Sequence, residues 1–458
     1  MMISANAQHR SLTKPFSPMR IAWFVLIALL LGEALVIQAQ FVFFAQDHGV
    51  RSGPSGAGGP LPGLTPGELA NFNDGQIAFL EQDSVSNGLG PRFNLDSCAG
   101  CHAQPAAGGT SPFSNPQVAV ATTLGADNVV PFFIRINGPV REARFPLNPD
   151  GSPDGGVHDL YTITGRSDAP GCSLRQPDFN GAASQHNLIF RIPTPVFGAG
   201  LIEAIPDSTI LANQNANSNA KRNFGIAGHP NRNGNDGTVT RFGWKAQNKS
   251  LKIFASEAYN VEQGVTNEGF PNEREENPSC FFNGTPEDHT HADATTPQAM
   301  LSDIERFVNF MRFADQPAPA PATTSIANGR SLFSQVGCAL CHTPTLKTGK
   351  SSSPALSFKQ ANLFSDLLVH NMGPGLADRV SQGNAGGDEF RTAPLWGLGQ
   401  RIFFLHDGRT NDLMDAIEEH ASSGNSQFAP SEANRVIQLF NSLSASQRQD
   451  ILNFLRSL

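Results

Sequence analysis

Val336-Gly337-Cys338-Ala339-Leu340-Cys341-His342 decides how the rest of the chain is read. Two cysteines three apart, with a histidine directly behind the second, form the attachment pattern of a c-type haem. Cysteines at i and i+3 reach the two vinyl groups of one porphyrin, and the adjacent imidazole comes under the iron as an axial ligand. A second copy, Ser97-Cys98-Ala99-Gly100-Cys101-His102, stands earlier in the chain. Paired CxxC units also bind zinc. Here the pairs lie far apart and each carries its own trailing histidine, in a chain with only 6 Cys and 12 His, which favours two covalently attached haems, with His102 and His342 as iron ligands.

The 458 residues leave room for two or three domains. Charged residues are sparse at 16%, while Gly (44) and Pro (33) are plentiful, the composition of a loop-rich globular protein. The net charge is −8 and no basic block follows the first twenty residues, which argues against a nucleic-acid partner. A mildly acidic surface suits a small basic electron donor and equally suits plain solubility, the weightier reading.

His9, Arg10, Lys14 and Arg20, with no acid among them, precede an apolar run over 21–31, and apolar residues resume over 34–44 after Gly32-Glu33. Read as a signal sequence, this leader is cut after Ala39. Read as a membrane anchor, 21–44 is long enough to span, with Glu33 as a costly charge at its centre. Met19 as the true start gives a leader of more usual length. Both readings put the body in the periplasm, soluble after cleavage or anchored to the inner membrane. Cys172 and Cys280 remain once four cysteines serve the haems; in an oxidising compartment a bridge between them is expected, and two buried thiols are the alternative.

The expected division is a leader over 1–45, a Gly/Pro linker over 46–66, a first haem domain over 67–315, a Pro/Ala linker over 316–325 and a second haem domain over 326–458. Helical spacing predicts helices over 67–83, 301–313, 326–336 and 444–458. The stretch 118–238 reads as short strands and long loops inserted in the first domain. The fold class is mainly α: two cytochrome c-like domains with long loops.

An internal repeat lies behind the two motifs. Phe190-Arg191-Ile192-Pro193-Thr194-Pro195-Val196-Phe197-Gly198-Ala199-Gly200 echoes Phe390-Arg391-Thr392-Ala393-Pro394-Leu395-Trp396-Gly397-Leu398-Gly399. Phe242-Gly243-Trp244 has Leu251 seven residues after its Trp, and Phe404-Leu405-His406 has Leu413 seven residues after its His. Two echoes in the same order indicate duplicated domains.

With these residues in place, the chain from about Gly67 to Leu458 resembles the bacterial di-haem cytochrome c peroxidase superfamily, and within it the di-haem oxidoreductase branch. The most specific stretches are Phe364–Asp378 with His370 and Met372, Glu389–Gly399, and Leu405-His406-Asp407-Gly408-Arg409. The resemblance implies one haem as an electron store and one that reacts with hydrogen peroxide. It implies Trp244 as the electron bridge and Glu262, eighteen residues on, as the acid/base; Lys245-Ala246 departs from the family's Asp-Gly at that point. Glu203 is a second carboxylate with apolar neighbours. Counting fourteen residues from His406, where relatives place the sixth ligand of the store haem, gives His420, with Met372 as the rival. His370 and His406 are expected to hydrogen-bond, and Arg391 and Arg409 to pair with haem propionates. His186 stands near where some relatives keep a removable ligand, though a surface histidine is the plainer reading. The family's interdomain calcium site uses an Asn where Arg191 stands here, so calcium is not carried over as a firm cofactor. The implied activity is peroxide reduction with electrons from a small cytochrome or cupredoxin; oxidation of a protein or organic substrate, or electron carriage alone, are the alternatives. The thiol-oxidoreductase label given to this branch has no support here, because no reactive CxxC is left once the haems are attached.

Overall fold

The computed structural model describes residues 44–126, 130–153, 158–159, 161–163, 165–274 and 277–458. Its helices begin where the sequence supplies caps. The Thr65 hydroxyl and the Glu68 carboxylate satisfy each other's backbone N–H groups at the start of α1 (Pro66–Leu80), with Pro66 in the first turn. Ser250 caps α2 (Leu251–Glu262). Ser302 caps α3 (Asp303–Phe313), and the Asp288 carboxylate accepts from Asp303 N and Ile304 N at 2.7 and 3.1 Å. Thr323 caps α4 (Thr324–Gln335), Asp412 caps α5 (Leu413–Glu418), and a Ser444/Gln447 box opens α6 (Ala445–Ser457).

Two helix pairs carry the architecture: α1 packs on α3, and α4 on α6. Each pair crosses at a glycine. A Cβ on Gly75 would lie 2.2 Å from Arg306 O, and one on Gly329 would lie 1.9 Å from Asp450 O, so only a residue without a side chain lets the backbones close up. The four helices match the sequence expectation to within a turn, and the fold is mainly α, as expected.

The repeat is structural. Gly198 and Gly397 both adopt the left-handed conformation, φ 64° and 72°, and each opens a short helical turn, Ala199–Glu203 and Leu398–Gln400. Phe242 bridges Asn248 as Phe404 bridges Thr410, and α2 and α5 follow.

Strands are few and short. The inserted stretch holds an antiparallel sheet of order β2-β1-β3, made of β1 (Glu142–Arg144), β2 (His158–Asp159) and β3 (Ile189–Arg191), with Arg144 opposite Ile189. β4 (Leu346–Lys347) pairs with β5 (Gln360–Ala361), and β6 (Val369–Asn371) with β7 (Glu389–Arg391). The same stretch also contains short helices, Asp207–Asn215 among them. That helix buries only Ile210, so it shows no apolar stripe from which sequence periodicity could be read.

Residues 45–458 form one unit. Its largest core mixes Phe72, Leu201 and Phe310 from the first half with Leu363, Leu368 and Trp396 from the second. The two segments read as linkers are pinned. Arg51 N donates to Gly399 O, Ala318 N to Gly56 O and Ala320 N to Ser457 O, and Arg456 Nε donates to Asp47 Oδ1 at 2.7 Å. Residues 46–61 are therefore a strap across both halves. Cys172 and Cys280 are bridged, with Cα atoms 4.7 Å apart, and tie the insertion together across 108 residues. Residues 1–43, with the expected leader, lie outside the described residues; among the described ones no helix is long and apolar enough to cross a membrane.

Candidate functional site

Each CxxCH motif opens onto its own cavity. The first is walled by Cys98, Cys101, His102, Trp244, Tyr259 and Glu262 among others. The second is walled by Cys338, Cys341, His342, Trp244, His406 and His420 among others.

The histidines are set up to ligate. His102 Nδ1 donates to Gly109 O at 2.9 Å, His342 Nδ1 to Phe364 O at 3.0 Å and His420 Nδ1 to Ala416 O at 2.8 Å. A carbonyl accepts only from a protonated nitrogen, so each Nε2 keeps its lone pair. Burial pushes all three below the usual imidazole range, His342 to about 4 with help from the neighbouring His420, so the rings stay neutral. His342 and His420 have ring centroids 6.5 Å apart. Two imidazoles on opposite faces of one metal, at metal–nitrogen bonds of about 2 Å, bring their centroids roughly 6 Å apart. The pair fits an iron between them. Met372 lines the same cavity. The thiols of Cys98, Cys101 and Cys338 are driven up by burial, Cys338 to about 12.

Two arginines line the second cavity. Arg391 and Arg401 are buried and both fall to about 10 through burial. Among the described residues neither forms an ion pair; Arg391 Nε donates to Gly243 O and Arg401 Nη2 lies 3.5 Å from Pro394 O. Two buried guanidiniums facing a cavity suit the carboxylates of a haem. Arg391 was expected in this role. Arg409 is not in the cavity: it pairs with Asp407 at 2.8 Å and Glu419 at 3.1 Å at the surface. Arg401 takes its place, and no motif marks it.

Trp244 lines both cavities. Its Nε1 donates to Ile192 O at 2.8 Å. The departure beside it is accommodated. Ala246 takes the left-handed backbone, φ 51°, that a glycine would adopt freely. Lys245 is fully buried: Nζ donates to Gly386 O and Glu389 O, both at 2.8 Å, pairs with Asp378 at 3.1 Å and sits 4.1 Å from the centroid of the Phe390 ring. Arg191 pairs with the same Asp378 at 2.6 Å. Side-chain cations thus occupy the junction where relatives are expected to hold calcium.

Glu262 stands at the end of α2 with its carboxyl on the first cavity. Burial, and then the charge of Glu257, raises it to about 7, against the pull of Arg144. Glu203 is elsewhere: it accepts from Leu251 N at 2.9 Å and from Arg312 Nε at 3.1 Å, bracing α2 against α3. His186 is exposed and lies outside both cavity walls. His370 is held by Asp366 at 3.0 Å and Glu432 at 2.8 Å, which uses both ring nitrogens. His406 stacks on Phe390 with centroids 4.3 Å apart, and burial lowers it to about 4. Tyr259 and Arg144, in the wall of the first cavity, carry no spacing signal in the sequence.

No curated protein matches the chain. Among solved structures, it is similar to hydrazine synthase of Kuenenia stuttgartiensis, at 20% identity over 36% of this chain and 56% of that one, TM-score 0.23. It is also similar to a MauG-like protein associated with microbial copper homeostasis, at 18% identity over 36% and 55%, TM-score 0.25. The match thus spans little more than half the length of each. The family model described as "Di-haem oxidoreductase, putative peroxidase" matches residues 152–458. Paired cavities, ligand-ready histidines and that match over most of its length make this chain a member of the di-haem oxidoreductase family.

Proposed function

We propose that the protein is an exported peroxidase that reduces hydrogen peroxide with electrons from a small redox protein. The difference between the two cavities carries the reading. In the second, His342 faces His420 at 6.5 Å, which supports a closed iron with two protein ligands, and favours His420 over Met372 as the sixth. In the first, His102 is the one histidine in the wall among the described residues and Glu262 stands with it, which supports a site open to a small oxidant. Haem attached at Cys98/Cys101 and Cys338/Cys341 supplies the redox chemistry. The protein handles position and protons. The Glu262 carboxylate takes a proton from one peroxide oxygen and returns it to the other as the O–O bond breaks. Trp244, shared by both walls, is the side chain best placed to pass electrons from the second site to the first. Covalent haem attachment and the apolar leader together favour a periplasmic location, and a cytochrome or cupredoxin as donor.

Spectra of the haem-loaded protein, resting and half-reduced, with and without peroxide, test this. A high-spin signal from one haem that peroxide abolishes, with steady turnover of a reduced cytochrome, is expected. Two low-spin haems that ignore peroxide and cyanide in every state would reduce the protein to an electron carrier.

A further inference from the structure

We propose that Tyr259 is a redox-active side chain that gives one electron to the haem of the first cavity after peroxide has oxidised it, while its phenolic proton passes to Asp83. The proposal rests on the peroxide reading above. The O–H bond of Tyr259 breaks; the electron reduces the haem by one equivalent; the proton forms a new O–H bond on Asp83; a neutral phenoxyl radical remains. One electron from the donor protein, with the proton returned by Asp83, restores the phenol.

Four observations carry it. Tyr259 is 2% exposed and lies in the cavity wall with Cys98, Cys101 and Glu262. Its position on α2, one turn before Glu262, puts both side chains on one helix face. Its hydroxyl donates to Asp83 Oδ2 at 3.2 Å. Losing an electron makes a phenol strongly acidic, so oxidation without a base in hydrogen-bond reach is unfavourable; Asp83 is that base. Asp83 is itself fixed. With the Gln263 amide oriented to satisfy both ends, its nitrogen donates to Asp83 Oδ2 at 2.6 Å and its oxygen accepts from Cys98 N at 3.0 Å. Asp83 N donates to Asp96 O at 2.7 Å. Burial, followed by the charges of Asp303, Glu81 and Asp96, pushes Asp83 up, against the hydrogen bonds from Tyr259 and Gln263.

The molecule contains its own control. Of 2 tyrosines, the other, Tyr161, is buried with no hydrogen-bond partner for its hydroxyl among the described residues. Among the described residues it has no base to take its proton.

The test mixes the haem-loaded full chain with hydrogen peroxide, freezes it within milliseconds, and records electron paramagnetic resonance and optical spectra together. Ring-deuterated tyrosine identifies the radical. A tyrosyl signal that narrows on deuteration, survives in Tyr161→Phe and vanishes in Tyr259→Phe supports the proposal. Asp83→Asn should slow its formation about a hundredfold, the scale of a lost proton acceptor. Haem bands that shift with peroxide while no tyrosyl signal forms, or a signal that persists in Tyr259→Phe, overturn the proposal and leave the peroxide reading intact. Haem bands that do not respond to peroxide overturn both.

Discussion

Trp244 and His406 hold equivalent places in the two halves of the molecule, and they touch. Their rings pack edge to face with centroids 6.4 Å apart. The backbones around them exchange hydrogen bonds in the same crossed sense: Ile192 N donates to His406 O and Arg391 N to Trp244 O, both at 2.8 Å. A duplicated turn has met its own copy at the junction and diverged there, one ring into an indole and the other into an imidazole. The indole is the one that reaches both cavities.

Trp244→Phe keeps an aromatic ring but loses the hydrogen bond to Ile192 O and the more easily oxidised indole. Stopped-flow reduction should show the second haem filling at its normal rate and the first filling at least about tenfold more slowly, a cost near 1.4 kcal/mol in the barrier. Equal rates would remove Trp244 from the electron path.

His420→Ala should convert one haem from six-coordinate low-spin to high-spin, because the His420 ring stands 6.5 Å from the His342 ring, a spacing that suits two ligands of one iron. Met372→Leu should leave the spectrum unaltered. The opposite pattern would make Met372 the ligand.

Glu262→Gln should lower peroxide turnover by about 10²–10⁴, the range for a lost proton-transfer group, without changing either haem's resting spectrum. In the wild type the working form is the carboxylate. Since the group sits at about 7, kcat/KM should rise with pH through that value and level off above it. The Gln variant should lose this inflection.

Lys245→Met removes a buried cation that satisfies two carbonyls and shares Asp378 with Arg191. Leaving buried charge and carbonyls uncompensated should cost about 3–5 kcal/mol in denaturant unfolding. Lys249→Met is the comparison: its pair with Asp236 is at the surface, and its loss should cost less than about 1 kcal/mol. Similar costs for the two would deny the junction cluster its structural role.

The parts of this molecule that are local in sequence are the parts that can be read from it. The motifs at Cys98–His102 and Cys338–His342 and the helical spacing over 67–83 and 444–458 depend on neighbours within a few turns. Arg409 and Arg401 show the limit. Arg409 looks like a cavity cation, but Asp407, two residues away, claims it. Arg401 is buried, and its backbone carbonyl accepts from Arg456 Nη1 of α6 at 3.0 Å, a neighbour 55 positions away. Glu203 likewise resembled a catalytic carboxylate until the distant Leu251 and Arg312 were found to hold it. The Gly/Pro composition of 46–66 reads as a connector, yet its backbone groups pair with Gly399 and with the segment after α3.

The strap over 46–61 also bears on how the molecule is made. Asp47 closes onto Arg456, 409 residues downstream. Contacts of such separation form late, because the whole intervening chain must first be gathered. Until α6 arrives, the seam along which the two halves are sewn together should stay open. The last helix acts as the latch on a case packed beforehand, and a chain cut short of α6 should keep residues 46–61 open to protease after the first cavity is filled.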